Sequence, residues 1–169
     1  VSIVHKHDGI VWGEYVWSKF NSSIRVNRLS VRFVNLNLFG ELAWPRQFLM
    51  DMYQSFKIVK IGPGSMTVYD EDSGSELVID VRVHGAVQEI TFADEVDFTV
   101  NLIDYSRTGY SLRKVPACIA LEDQPYETVI RHVREKILRI VNVLPAMETI
   151  KRYIQDGWSM DDGGETVTD

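Results

Sequence analysis

A half-buried β-strand is clearest in residues 75–85, SELVIDVRVHG. Its apolar residues fall on alternate positions, Leu77, Ile79, Val81 and Val83. Because successive side chains of a strand point to opposite faces, this alternation buries one face of a sheet. The turn-rich segment EDSGS at 71–75 follows a second short strand, SMTVYD at 65–70. The two strands are therefore predicted to form an antiparallel hairpin.

The same alternation occurs earlier, in SIRVNRLSVRFV at 23–34. Its apolar face carries Leu29, Val31 and Phe33, and its polar face carries Arg28, Ser30 and Arg32. This pattern predicts a long strand with one buried face.

Apolar residues recur at helical spacing in other segments. PRQFLMDMYQSF at 45–56 begins with proline at the first helical position and forms an amphipathic helix. Pro125 opens another helix, with an apolar stripe formed by Val129, Ile130, Val133, Ile137, Ile140, Val141 and Leu144. Pro145 restarts the chain as a last helix, which Gly157 ends. We therefore expect an α+β domain: a twisted, mainly antiparallel sheet with one helix after the first long strand and two C-terminal helices packed on it.

The 169 residues suit a single domain with tails. Residues 1–20 are interpreted as an N-terminal aromatic arm or a first strand, and residues 21–157 as the globular domain. Residues 158–169 read as an acidic, disordered tail, because Lys and Arg are absent from the last fourteen residues. The remainder is nearly neutral, so net charge predicts neither tight nucleic-acid binding nor strong adsorption to acidic lipid. No apolar run approaches the ~20 residues of a membrane-spanning helix.

Side chains with catalytic or metal-binding chemistry are few. The segment HKHD at 5–8 has two histidines at i, i+2, and it is interpreted as a solvated terminus because no second ligand cluster supports a metal. His84 is expected at a strand end and His132 on a helix surface, and Cys118 reads as a small core residue. We therefore predict no catalytic residue, no metal site and no cofactor.

Two groups of residues are typical of binding surfaces. Arg107, Arg113 and Lys114 in SRTGYSLRK either contact phosphate or another acidic partner, or form a solvated loop. Trp12, Tyr15 and Trp17 near the N-terminus either close the core or dock into a neighbouring subunit, and they are the candidates for self-association.

Two stretches resemble the globular core of rhabdovirus matrix proteins. The first, Ser23 to Phe56, reads strand, polar loop and helix. The second is VQEITFADEVDFTVNLIDYSRTGYSLRKVPACIA at 87–120, with QEIT before an acidic turn, a long strand, a basic turn and another strand. The chain lacks PPxY, PTAP and a polybasic arm, so the resemblance is to a small, plant-infecting member.

This resemblance implies a non-enzymatic structural protein that self-associates and bridges the nucleocapsid to the envelope during virion assembly and budding. The implied partners are copies of itself, viral nucleoprotein or ribonucleoprotein, an anionic membrane surface and a glycoprotein tail, with no sequence-specific nucleic acid. In this interpretation the nucleocapsid contact involves Arg107, Arg113 and Lys114. The implied location is the virion beneath the envelope, and the cytoplasm or nucleus and membrane periphery of the infected cell.

Two other functions stay open. One is an α+β interaction or adaptor domain with an unidentified partner. The other is a small hydrolase whose site forms only in the fold, which a pocket joining His84 or His132 to a carboxylate would favour.

Overall fold

The computed structural model describes residues 1–34, 45–84, 97–113, 125–141 and 147–161. The helices are α1 (Ser2–Lys6), α2 (Glu14–Phe20), α3 (Arg46–Ser55), α4 (Pro125–Glu135) and α5 (Met147–Gln155), with a 3-10 helix at Thr99–Leu102. The strands are β1 (Ile10–Trp12), β2 (Arg28–Val34), β3 (Lys57–Gly62), β4 (Ser65–Asp70), β5 (Ser75–His84), β6 (Ile103–Ser106), β7 (Gly109–Leu112), β8 (Ile137–Arg139) and β9 (Ser159–Asp161). No helix in these ranges is both long and apolar enough to cross a bilayer.

Seven strands form one sheet in the order β3-β4-β5-β2-β1-β6-β7. Neighbouring strands run antiparallel except β2 and β5, which pair in parallel with Ser30 opposite Asp80. The predicted hairpin is β4–β5, with Asp70 opposite Ser75. The predicted α+β class, with a mainly antiparallel sheet and C-terminal helices, is confirmed.

The apolar side of the central strands packs against α1 and α3. Leu29, Val31 and Phe33 are at most 5% exposed. The Phe33 ring lies 4.9 Å from the ring of Phe48 on α3. The odd-numbered residues of β2 therefore face the main hydrophobic core, as their alternation predicts.

The predicted helix across 125–144 is wrong after Glu135. Lys136 has a φ of +53°, which a continuing right-handed helix does not contain. The chain then forms β8, which pairs in parallel with β9. Ile137 is consequently half-buried on a strand, while Leu138 is fully buried beside it. Over a segment as short as Ile137–Arg139, an apolar pattern is compatible with both helix and strand periodicity. The pairing of β8 with β9 stabilises the strand.

Both ends of the described chain belong to the body of the fold. Residues 1–20 form α1, β1 and α2, and β1 is an inner strand of the large sheet. Trp17 is 1% exposed, and its indole Nε1 donates a 2.7 Å hydrogen bond to the carbonyl of Val100. Trp158 is 5% exposed with its ring 5.2 Å from that of Trp17. The folded part thus extends at least to Asp161, and residues 162–169 lie outside the described residues.

Candidate functional site

Charged and polar side chains occupy the side of β2 and β5 opposite the main core. We call this group the polar face, and its members are Arg28, Ser30, Arg32, Asp80 and Arg82. The parallel register places Ser30 beside Asp80 and Arg32 beside Arg82. Alternation along both strands puts these side chains on one side of the sheet. The sequence already separates Arg28, Ser30 and Arg32 from the apolar face, but it does not reveal that β5 lies beside them.

One half of the polar face is a buried ion pair. Arg32 Nη2 donates to Asp104 Oδ2 on β6 over 2.6 Å, and these two side chains are 4% and 11% exposed. The pair spans β1, which separates β2 from β6. Removing each charge from water costs free energy, and the attraction between the two opposite charges offsets this desolvation cost.

The other half is accessible to solvent. Arg28 Nη1 lies 2.8 Å from Asp80 Oδ2, with the two side chains 53% and 31% exposed. Arg82 is also exposed. An ion pair at such exposure is weak, so the guanidinium of Arg28 can exchange its partner for another anion.

The start of α2 borders this accessible half. Gly13 precedes the helix with a φ of +80°, in the left-handed region that favours glycine. A Cβ there would lie 3.5 Å from Ser30 Oγ, so β1 and α2 approach the polar face closely. Glu14 Oε2 accepts a 3.2 Å hydrogen bond from the Asn27 amide. Burial raises the pKa of Glu14, although this hydrogen bond and the nearby Arg152 and Arg28 guanidinium groups oppose the shift.

Two exposed arginines therefore act electrostatically on one partly buried carboxyl group. Arg28 comes from β2, and Arg152 comes from α5 with its guanidinium carbon 5.1 Å from the ring centroid of Tyr153. Guanidinium groups bind phosphate oxygens through paired N–H donors. This corner of the polar face is accordingly suited to a phosphate group.

No protein-family model matches the chain, and no curated protein is similar to it. Solved structures share its fold. A structure of a tRNA-processing enzyme with CTP is 10% identical with a TM-score of 0.54, over 96% of this chain and 43% of that chain. A tRNA nucleotidyltransferase complexed with a primer tRNA and an incoming ATP analogue is 11% identical with a TM-score of 0.54, over 96% of this chain and 46% of that one. The chain thus spans less than half the length of these enzymes, and at this identity the likeness concerns the fold.

This finding corrects the expectation of a rhabdovirus matrix protein, which is wrong. The similar structures are tRNA-processing enzymes, so the expectation of a non-enzymatic structural protein that bridges nucleocapsid and envelope is wrong as well. The expected partners are also wrong, because the similar enzymes are described with a primer tRNA, CTP or an ATP analogue rather than with viral proteins. The resemblance depended on short patterns such as QEIT at 88–91, which lies outside the described residues. A strand, a turn and a strand of such composition occur in many folds.

Nucleotidyl transfer implies divalent cations, which polymerases hold in pairs about 3.5–4 Å apart with carboxylates. The described residues do not fit that arrangement. They contain no group of three or more His, Cys, Asp or Glu side chains placed to hold an ion. Asp80 and Asp104 are each paired with an arginine, and their strands β5 and β6 are separated by β2 and β1. Strands are about 4.8 Å apart, which puts these two backbones about 14 Å from each other.

The basic turn predicted to bind an acidic partner is the β6–β7 hairpin. Arg107 lies in its turn, where its Nη1 is 2.9 Å from Asp8 Oδ1 and both side chains are largely exposed. Arg113 follows β7 and is half-buried, and its amide donates to the Leu102 carbonyl over 2.6 Å. Lys114 lies outside the described residues, as does Cys118. Binding of an acidic partner here stays a prediction.

The three aromatic residues predicted to mediate self-association lie in different settings. Trp12 is half-buried on β1, and Trp17 is in the core between Val100, Tyr153 and Trp158. Tyr15 is half-buried on α2 and stacks towards Tyr105 with ring centroids 6.5 Å apart. Self-association through these residues stays a prediction, although Trp17 would have to leave its own core to take part.

The histidines are structural in this part of the chain. His5 Nε2 donates to the Tyr105 carbonyl over 3.1 Å. Lys6 and His7 both bind the Asp51 carboxylate, at 2.9 and 2.6 Å, and these hydrogen bonds lower the pKa of Asp51. The HKHD segment therefore ties α1 to α3, and its interpretation as a solvated terminus is wrong.

His132 is fully buried, so its predicted place on a helix surface is wrong. Its Nδ1 is 2.7 Å from Thr99 Oγ1, and its Nε2 is 3.8 Å from Asp161 Oδ2. Thr99 is also fully buried, so a substrate cannot reach its hydroxyl. Two cavities of about 380 Å³, one beside α1 and β5 and one between α3 and β4, are not lined by a histidine.

Proposed function

We propose that this chain is an RNA- and nucleotide-binding domain of an RNA-processing enzyme, with phosphates bound at the accessible corner of the polar face. The observation that carries the proposal is the fold likeness to tRNA-processing enzymes, which extends over 96% of the chain. In this chain, the exposed arginines Arg28 of β2 and Arg152 of α5 both act on Glu14 at the start of α2.

The chemistry of this corner supports the proposal. Arg28 directly follows Asn27, whose amide binds Glu14, and the guanidinium groups of Arg28 and Arg152 both act to lower the pKa of Glu14. Arg28 gives up only a weak, exposed ion pair with Asp80 when it binds another anion. Phosphate contacts made by arginine position a nucleic acid without reading its sequence.

The nucleotide-binding part of the proposal is tested by titrating the full chain with fluorescent CTP and with labelled tRNA at low salt. The double variant Arg28→Gln/Arg152→Gln removes both guanidinium groups. It should weaken binding of both ligands about tenfold or more, because each guanidinium group is proposed to contact a phosphate. The matched control, Lys57→Gln/Lys60→Gln, removes the same charge from β3 at the far edge of the sheet and should change affinity little. Equal losses in the two variants would indicate nonspecific attraction, and no binding of either ligand by the unmodified chain would overturn the proposal.

A further inference from the structure

Tyrosine rings gather at the edge of the sheet formed by β7. We call them the tyrosine surface, and its members are Tyr15, Tyr105, Tyr110 and Tyr126, with Phe20 beside them. Tyr105 and Tyr110 are opposite each other in the β6–β7 hairpin. Their rings are nearly parallel, with 4.4 Å between centroids and an interplanar angle of 15°.

The rings form a stack that ends at solvent. Tyr105 is stacked with both Tyr110 and Tyr15, and the ring of Tyr15 lies 6.5 Å from it at the same 15° angle. Phe20 meets Tyr110 edge-on at 5.1 Å. Tyr110 is 38% exposed and Tyr126 is 37% exposed. Large exposed rings held in a fixed orientation are a ready surface for stacking another flat ring.

The phenol of Tyr110 stays neutral under physiological conditions. Burial raises the pKa of Tyr110, and the neighbouring Tyr105, Tyr15 and Tyr126 raise it further. A neutral ring does not repel a nucleic-acid backbone as a phenolate would.

Positive charge surrounds the rings. Lys19 Nζ lies 4.8 Å from the ring centroid of Tyr15. Arg107 in the hairpin turn is 63% exposed, and its partner Asp8 is 75% exposed, so this ion pair is weak and can open. Aromatic rings interleaved with exposed basic side chains are the usual arrangement of surfaces that bind single-stranded nucleic acid.

We infer that the tyrosine surface binds the bases of a single-stranded RNA segment by stacking, while Lys19 and Arg107 contact its phosphates. This inference rests on the proposed function, since it assumes that RNA is the ligand, and it gives that RNA a second contact on the opposite edge of the sheet from β3. It assigns the exposed rings to base contacts and the polar face to phosphates.

The experiment is a fluorescence anisotropy titration of the full chain with a labelled single-stranded RNA of about eight nucleotides. Tyr110→Ala should weaken binding about tenfold, which corresponds to about 1.4 kcal/mol, because one stacked base is lost. Tyr110→Phe keeps the ring and should bind as the unmodified chain does. Tyr53→Ala is the matched control, since Tyr53 is 54% exposed on α3, away from β7, and this variant should also retain affinity.

An abasic strand of the same length separates stacking from charge. The unmodified chain should bind it more weakly than RNA, and Tyr110→Ala should make no further difference. Thermal melting of Tyr110→Ala near that of the unmodified chain verifies that the variant is folded.

Three results would overturn the inference. In the first, Tyr110→Ala binds RNA normally while Arg28→Gln/Arg152→Gln does not. This result would exclude the tyrosine surface from RNA binding and leave the proposed function in place. Tyr110→Ala could instead change only the oligomeric state in size-exclusion chromatography, which would make the rings a contact between copies of this chain. If the unmodified chain binds neither RNA nor CTP, both the inference and the proposed function fail.

Discussion

Odd- and even-numbered residues of β2 lie on opposite sides of the same sheet and meet different surroundings. Leu29, Val31 and Phe33 enter a core of apolar side chains below α1 and α3. Arg32 enters an equally dry environment on the other side, where the carboxylate of Asp104 neutralises it. Arg28, only four residues away, stays half in solvent. Burial alone therefore does not distinguish the two sides, whereas the presence of charge does.

The largest effect is expected from breaking the buried ion pair. Arg32→Met removes the guanidinium group that binds the buried Asp104 carboxylate and should lower the free energy of unfolding by about 3–5 kcal/mol. The matched variant Arg28→Met removes the same group from an exposed pair and should change stability by less than about 1 kcal/mol. Urea denaturation of both variants measures the difference.

The double variant Arg32→Met/Asp104→Leu sharpens this test. With both charges replaced by apolar groups, most of the lost stability should return. A double variant as unstable as Arg32→Met would mean that shape, rather than unpaired charge, explains the loss.

A substitution on the apolar face of β2 should lower the free energy of unfolding somewhat less. Leu29→Ala deletes methyl groups from a residue that is 5% exposed and should lower the free energy of unfolding by about 2–4 kcal/mol through lost burial and a residual cavity. The same urea titration measures it, with Ile61→Ala as control because Ile61 is 38% exposed on the edge strand β3. Similar losses for the two substitutions would contradict the assignment of Leu29 to the core.

The smallest effect concerns Glu14, at the start of α2 beside the accessible half of the polar face. Burial raises the pKa of Glu14 in the folded chain. The folded chain therefore binds a proton at Glu14 more tightly than the unfolded chain does. The stability it contributes is present below its unfolded pKa of about 4.3 and is lost as the pH rises through the raised folded value.

Glu14→Gln should therefore melt at a higher temperature than the unmodified chain at pH 7, and the difference should vanish near pH 4. Thermal melting at the two pH values tests this, with the exposed Glu76→Gln as control. A lower melting temperature for Glu14→Gln at pH 7 would show that its hydrogen bond and the nearby arginines outweigh its burial.

Local patterns predict the parts of this fold whose partners are nearby in sequence. The alternation in 75–85 and in 23–34 predicts β5 and β2 and separates their faces, and the Pro45 helix is α3. The parallel pairing of β2 with β5 joins Ser30 to Asp80, and no local pattern contains that contact. The polar face was consequently visible in sequence only as one strand's alternating arginines.

The remaining errors have the same origin. The end of α4 depends on Lys136 and on β9, which arrives after another helix. The buried position of His132 depends on Thr99 and Asp161. The tyrosine surface brings Tyr15 together with Tyr105 and Tyr110, which are both far from Tyr15 in the chain. Short strand-and-turn patterns such as QEIT lack this information, which is why they suggested an unrelated family.

The salt dependence of tRNA binding tests the central claim most directly. Equilibrium affinities of the unmodified chain and of Arg28→Gln/Arg152→Gln are measured between roughly 50 and 200 mM salt. In this range, counterion release from the nucleic acid determines how affinity changes with salt. We predict saturable binding whose affinity falls with salt, and a slope of log affinity against log salt that is smaller by about two in the double variant, since two phosphate contacts are lost. Identical slopes for the two proteins, or no tRNA binding at the lowest salt, would contradict the assignment of this polar face to nucleic acid.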